Sequence, residues 1–191
     1  MKKNIRVVHI LWLVVVLLIG LSSSPVQGKK KFLSEGMTLP QFTLSEPLGK
    51  AEQTYLGLKD RQPFELSQVP AKLVLIELFE VNCGICNEQA PLSNKLYNII
   101  KHNEELSRDI KMIGIGAGNN VKQIGVYKKK KRVPFPLFTD QKFEIFRKVG
   151  RPGVPFHILV DQKGNVLLTE LGLIEDVEEF FREIVKVYEQ Q

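Results

Sequence analysis

The chain has 191 residues, 43% of them hydrophobic, which suffices for one domain with a buried core and is too few for two of comfortable size. Its formal charge of +6 arises from 27 Lys and Arg against 21 Asp and Glu, but several of the bases fall in the N-terminal segment and in one short run. The excess makes no case for a nucleic-acid partner, and two cysteines, Cys83 and Cys86, are too few for a disulfide-stapled scaffold.

In residues 1–28, Lys2, Lys3 and Arg6 precede the apolar run Ile10–Leu21, which is followed by polar Ser22–Ser24 and by Val26-Gln27-Gly28. That is the order of a secretory signal. The apolar run falls short of the roughly 20 residues of a membrane span, although extending it back to Val7 leaves an uncleaved anchor open. Residues 1–28 are thus expected to be a signal peptide or N-terminal membrane anchor, which places the protein in the periplasm or on the extracytoplasmic face of the membrane. Outside the cytosol a dithiol is oxidised unless electrons are supplied. No cysteine lies near this end, so acylation there is excluded.

Residues 29–70 are read as a linker, Lys29–Lys31, and an N-terminal extension. Strand-like pieces at Gln41–Leu44, Gln53–Leu58 and Pro63–Leu66 give the extension a hairpin character. The core is expected over 71–191. Ala71–Phe79 is nearly continuous in Leu, Val and Ile, as a strand buried on both faces should be. Cys86–Asn103 has helical spacing, with Pro91 inside it as a source of a kink. Ile110–Ala117 predicts a second buried strand, Val121–Lys131 a helix, Phe135–Thr139 a short strand and Gln141–Val149 a short helix. Val154–Asp161 and Asn165–Glu170 flank Gln162-Lys163-Gly164, a hairpin signal. Ile174–Gln190 closes the chain as an amphipathic helix. The order predicts an α/β fold with a mixed central sheet and helices on both faces.

Two cysteines separated by two residues, after a strand and before a helix, can close a disulfide with little backbone movement and lose it again to an attacking thiolate. The pattern predicts redox chemistry. A static bridge across so short a loop would constrain the unfolded chain little. Zinc would want further ligands at suitable spacing, and His102 and His157 form no such pattern with the pair. Cys83, at the start of the helix, is the expected nucleophile, because unpaired N–H groups there stabilise a thiolate. Cys86, one turn further in, is the expected resolving thiol.

These features resemble the thioredoxin superfamily and, within it, the exported TlpA/ResA-like thiol-disulfide oxidoreductases. The resemblance covers about Leu39–Tyr188 and rests on Cys83-Gly84-Ile85-Cys86, Pro91, the Gly153-Val154-Pro155 triplet and the Asp161–Gly164 turn. It implies a thioredoxin-like fold with a hairpin-like N-terminal extension, and a cis-proline at Pro155 facing the disulfide. Val154 and Pro155 would bind a substrate chain by strand-like pairing. Glu77, a carboxylate in an apolar strand six residues before Cys83, matches the buried acid that assists proton transfer at the resolving thiol. The alternative turns Glu77 toward Lys72 or solvent.

The implied partners are protein thiols or disulfides and an upstream redox partner, with no cofactor and no metal, and a monomer is expected. Reduction is the favoured direction. A thiol peroxidase of the peroxiredoxin type and a non-catalytic binding module or copper chaperone are the alternatives; Glu80 stands where the first would have Thr. The sequence departs from the pattern at Asn82, where an aromatic residue is usual, and at Ile85, where Pro is frequent. A third departure is Gln89, where the exported relatives often carry Glu; Glu88 is one step off and should face elsewhere. His157 is expected to pack rather than to act as a base, and Lys128–Arg132 to be a solvated helix end.

Overall fold

The computed structural model describes residues 32–45, 49–60 and 63–191, so the expectations for residues 1–28 lie outside the described residues. Residues 32–191 form one compact unit. In chain order it contains α1 (Lys50–Leu56), a 3-10 turn (Leu66–Gln68), β1 (Leu73–Phe79), α2 (Gly84–Lys101), α3 (Glu104–Asp109), β2 (Ile110–Ala117) and α4 (Val121–Lys131). There follow β3 (Leu137–Asp140), α5 (Glu144–Lys148), β4 (Phe156–Asp161), β5 (Val166–Leu171) and α6 (Val177–Tyr188). No helix among the described residues is long and apolar enough to cross a membrane.

The strands form a single mixed sheet in the order β3-β2-β1-β4-β5. β1 lies at its centre, parallel to β2 and antiparallel to β4. All seven β1 residues are buried, which explains their near-continuous apolar character. Alternation then divides them between two cores. Val74, Ile76 and Leu78 face a cluster with Leu56, Ile145 and Val149, whereas Leu73, Leu75 and Phe79 face one with Cys86, Leu96, Ile124, Phe180 and Ile184. Helices therefore cover both faces, α2, α4 and α6 on the second. At about 25 cal/mol per Å² of apolar area removed from water, this double burial is the main source of the fold's stability.

The N-terminal extension belongs to the first core, where Leu33, Leu39, Phe42, Leu44 and Phe64 are buried. Leu44 and Phe64 form an antiparallel bridge, the only hairpin-like pairing between the described extension pieces. The strand-like assignment of Gln53–Leu58 is corrected: most of it is α1. Glu52 accepts from the N–H of Gly49 at 3.0 Å, and Gly57, at φ 67°, ends the helix. Glycine tolerates that left-handed geometry at little cost. α3 is an element the apolar pattern does not predict, a short helix set by Asn103, whose side chain accepts from the N–H of Leu106 at 3.0 Å.

Candidate active site

Cys83 and Cys86 stand at the junction of β1 and α2, at the C-terminal edge of the central strand. The turn between them is held by Asn119, a buried residue just past β2. Its Oδ1 accepts from the N–H of Val81 at 3.1 Å, and its Nδ2 donates to Glu80 at 3.2 Å. The same Glu80 oxygen accepts from the backbone N–H and the side chain of Asn82. Glu80 and Asn82 thus form a polar brace for the turn.

Cys83 is the N-cap of α2, and its Sγ accepts from the N–H of Cys86 at 3.2 Å. Its sulfur is half-buried and lies 3.7 Å from the carbonyl oxygen of Val154. The Val154–Pro155 peptide bond is cis. Cys86 is wholly buried. Burial first, and then the neighbouring Cys83, push its thiol well above the ordinary range. Both cysteines are free thiols. An outer sulfur that accepts a helix N–H and an inner sulfur whose burial favours the protonated form give the asymmetry that an attacking and a resolving thiol require. Ile85, between them, is half-exposed at the tip of α2.

Alternation along β1 puts Glu77 on the face covered by α2. It is 4% exposed, so it does not turn to solvent, and Lys72 instead pairs with Asp109 at 3.0 Å. Burial raises the Glu77 carboxyl to about 7, opposed by a hydrogen bond from Ser93. Glu77 also lines a small cavity with Ala90, Ser93, Tyr127 and Phe135. The Ser93 hydroxyl accepts from Gln89 Nε2 at 3.1 Å, and Gln89 Oε1 accepts from the N–H of Ile174 at 2.8 Å. Gln89 is accordingly buried and ties the helix to the segment before α6. Glu88 is exposed.

Three contributors to this site carry no recognisable motif. His157 lies directly across from Glu77 in the β1–β4 register, with Nε2 3.8 Å from Glu77 Oε2. Its ring packs at 5.9 Å against Phe180. Tyr127 stacks on Phe79 at 4.9 Å and donates its hydroxyl to the carbonyl of Cys86 at 3.1 Å. Lys131, from the basic run, donates to the carbonyl of Asn87 at 3.0 Å, and Lys128 pairs with Glu52. Two bases of that run are therefore structural contacts rather than solvated charges. His157 and Glu77, each a polar residue in an otherwise apolar strand, come to share a face only through the pairing of β1 with β4.

A family model named Redoxin matches residues 34–183. No curated protein sequence matches the chain. Among solved structures, a candidate thiol:disulfide interchange protein DsbE from Chlorobium tepidum superposes with a TM-score of 0.63 at 21% identity, over 81% of this chain and 98% of that one. The thioredoxin domain of a thiol-disulfide oxidoreductase from Bacteroides vulgatus gives 0.58 at 19% identity, over 78% and 99%. A thiol:disulfide interchange protein from Bacteroides sp. gives 0.59 at 18% identity, over 81% and 90%. These likenesses establish a thioredoxin-like fold, and the family match spans most of the sequence. The chain belongs to the Redoxin family.

Proposed function

We propose that this protein is an exported thiol-disulfide oxidoreductase that reduces disulfides of partner proteins through Cys83 and Cys86. The observation that carries the proposal is the unequal placement of the two sulfurs: Cys83 Sγ caps α2 beside the Val154 carbonyl, while Cys86 is wholly buried behind it. The names borne by the structural neighbours agree with this activity. Export rests on residues 1–28, read as a signal or anchor ahead of a linker and extension at 29–70 and the core at 71–191.

In the forward direction the Cys83 thiolate attacks one sulfur of a partner disulfide. A Cys83–partner disulfide forms, and the other partner sulfur leaves as a thiolate that takes a proton. Cys86 then gives its proton to the Glu77 carboxylate and attacks Cys83 Sγ. The Cys83–Cys86 disulfide forms, the Cys83–partner bond breaks, and the second partner sulfur leaves. Two electrons have passed from the dithiol to the partner, and an upstream dithiol restores the reduced pair. A base with an affinity near neutrality suits this transfer. Val154 and Pro155 hold the partner chain beside Cys83, where backbone pairing orients the disulfide.

The test is a trap. Cys86→Ser expressed in the full chain should accumulate mixed disulfides through Cys83, identifiable after non-reducing electrophoresis, whereas Cys83→Ser should capture nothing. Capture by the Cys83→Ser variant alone would reverse the assigned roles.

A further inference from the structure

The β1–β4 pairing brings two ionisable side chains face to face inside the second core. Glu77 Oε2 and the His157 Nε2 that faces it are buried without a hydrogen-bond partner among the described residues. A buried polar atom left unpaired is destabilising, and here two of them face each other. The gap between Nε2 and Oε2 is 3.8 Å. Closing it to an ordinary hydrogen bond takes a movement of less than about 1 Å, within reach of a carboxyl rotation. The strand backbones on either side are fixed by the register that places Glu77 opposite His157.

We infer that His157 is a positioning residue for the resolving step, whose Nε2–H hydrogen-bonds the Glu77 carboxylate and holds it ready to take the proton of Cys86. The inference rests on the function proposed above and goes beyond it by naming what sets the proton affinity of the base. His157 touches neither sulfur and exchanges no electrons. It remains neutral: burial lowers its pKa to about 3, so it donates without carrying charge into the core. When the proton of Cys86 moves to Glu77, the carboxyl becomes neutral and the hydrogen bond to His157 weakens. The imidazole therefore favours the carboxylate form, the form that acts as base.

The other groups around Glu77 do not duplicate this part. α2 presents Cys86, Ser93 and Gln89, and the amide of Gln89 is already engaged by Ser93 and Ile174. Cys83 lies beyond Cys86 on the same helix. α4 presents Tyr127, whose hydroxyl is committed to the Cys86 carbonyl. β2 places Gly114 opposite Glu77, β5 places Glu170 beyond His157, its backbone partly offsetting the effect of burial on the imidazole, and α6 presents the Phe180 ring. Among the described residues, Ser93 is a further donor to Glu77.

The experiment follows the two releases of 5-thio-2-nitrobenzoate when reduced protein is mixed with Ellman's reagent in stopped flow. The second release reports attack by Cys86 on the mixed disulfide at Cys83, and its rate is measured against pH. His157→Phe should move the midpoint of that profile upward by about one unit, roughly a tenfold loss of rate below the midpoint. His157→Gln, whose amide N–H replaces the donor, should return the midpoint most of the way. Glu77→Gln should remove this limb, and adding His157→Phe to it should change the rate by less than about twofold, as two members of one unit require.

An unmoved midpoint in folded His157→Phe, or equal losses from His157→Phe with and without Glu77, would overturn the inference while leaving Glu77 as the base. A Glu77→Gln profile like that of the unaltered protein would instead remove Glu77 from the mechanism and the inference with it. Near-ultraviolet circular dichroism of each variant shows that the comparison is between folded proteins.

Discussion

Lys131 donates its ammonium to the carbonyl of Asn87 at 3.0 Å, and that carbonyl is the one that Pro91 leaves without a helical donor. In an α-helix the N–H of residue i bonds the carbonyl of residue i−4, and Pro91 has no N–H. The basic run thus repairs a break in the active-site helix. Lys131→Met should lower stability by about 1 kcal/mol, read as a shift in the urea unfolding midpoint. In a Pro91→Ala background the new N–H takes the carbonyl, and the same substitution should cost little. Equal costs in the two backgrounds would show that Lys131 acts some other way.

Gln89 occupies a buried position between two elements. Its Oε1 takes the N–H of Ile174 at 2.8 Å, and Ile174 has no other acceptor among the described hydrogen bonds. Gln89→Met keeps the volume and leaves that N–H unpaired, at an expected cost of about 1–3 kcal/mol. Amide hydrogen exchange at Ile174 should rise in the variant relative to the centre of β1. Unchanged exchange would mean that the segment before α6 is held by its packing alone.

The buried pair should also leave a mark on the pH dependence of stability. Glu77 is raised from an ordinary 4.5 to about 7, so between these values the folded state holds a proton the unfolded chain has released. Its contribution declines as pH rises through that window. His157 is lowered from 6.5 to about 3, so stability is lost as pH falls through that range. Between about 4.5 and 6.5 the two slopes oppose each other. Glu77→Gln should uncover the His157 slope, with stability falling on acidification by up to about 1.4 kcal/mol per pH unit. His157→Phe should uncover the opposite slope. Urea midpoints between pH 4.5 and 7.5 measure both, and parallel curves for the two variants would contradict the assignment.

Gly118 links the edge of β2 to α5. It sits at φ 72°, donates to the carbonyl of Asp140 at 2.9 Å, and a Cβ there would fall 2.2 Å from Cζ of Phe143. Gly118→Ala combines left-handed strain with a ring clash and should cost roughly 1–3 kcal/mol. Gly118→Ala combined with Phe143→Ala should recover the steric part, again by urea unfolding.

The central strand, the cysteine pair and the mixed sheet were legible because each depends on local pattern: a continuous apolar run, a CxxC at a strand end, a helical period. α1 and α3 were not, because short helices are set by caps such as Gly49 and Asn103 rather than by a long apolar stripe. The partnership of Glu77 with His157 was hidden for a different reason. The residues are 80 apart in sequence, and only the antiparallel register between β1 and β4 makes them neighbours. Gln89 looked like a departure from a pattern, and its meaning came from a backbone N–H at Ile174 that no side-chain motif records. Lys131 stands in a charge run, a pattern that assigns it to solvent; its target is a carbonyl whose vacancy Pro91 creates.

Before the sheet exists, Leu73–Phe79 is a seven-residue segment of strand-forming apolar residues with a single charge, Glu77. Such segments pair promiscuously between unfolded chains, and one charge within them is an effective deterrent. The carboxylate that is costly to bury in the finished protein therefore protects the unfolded chain, where it is exposed and ionised. Glu77→Leu should give a protein that resists urea better at neutral pH and yet is recovered less from refolding at high concentration.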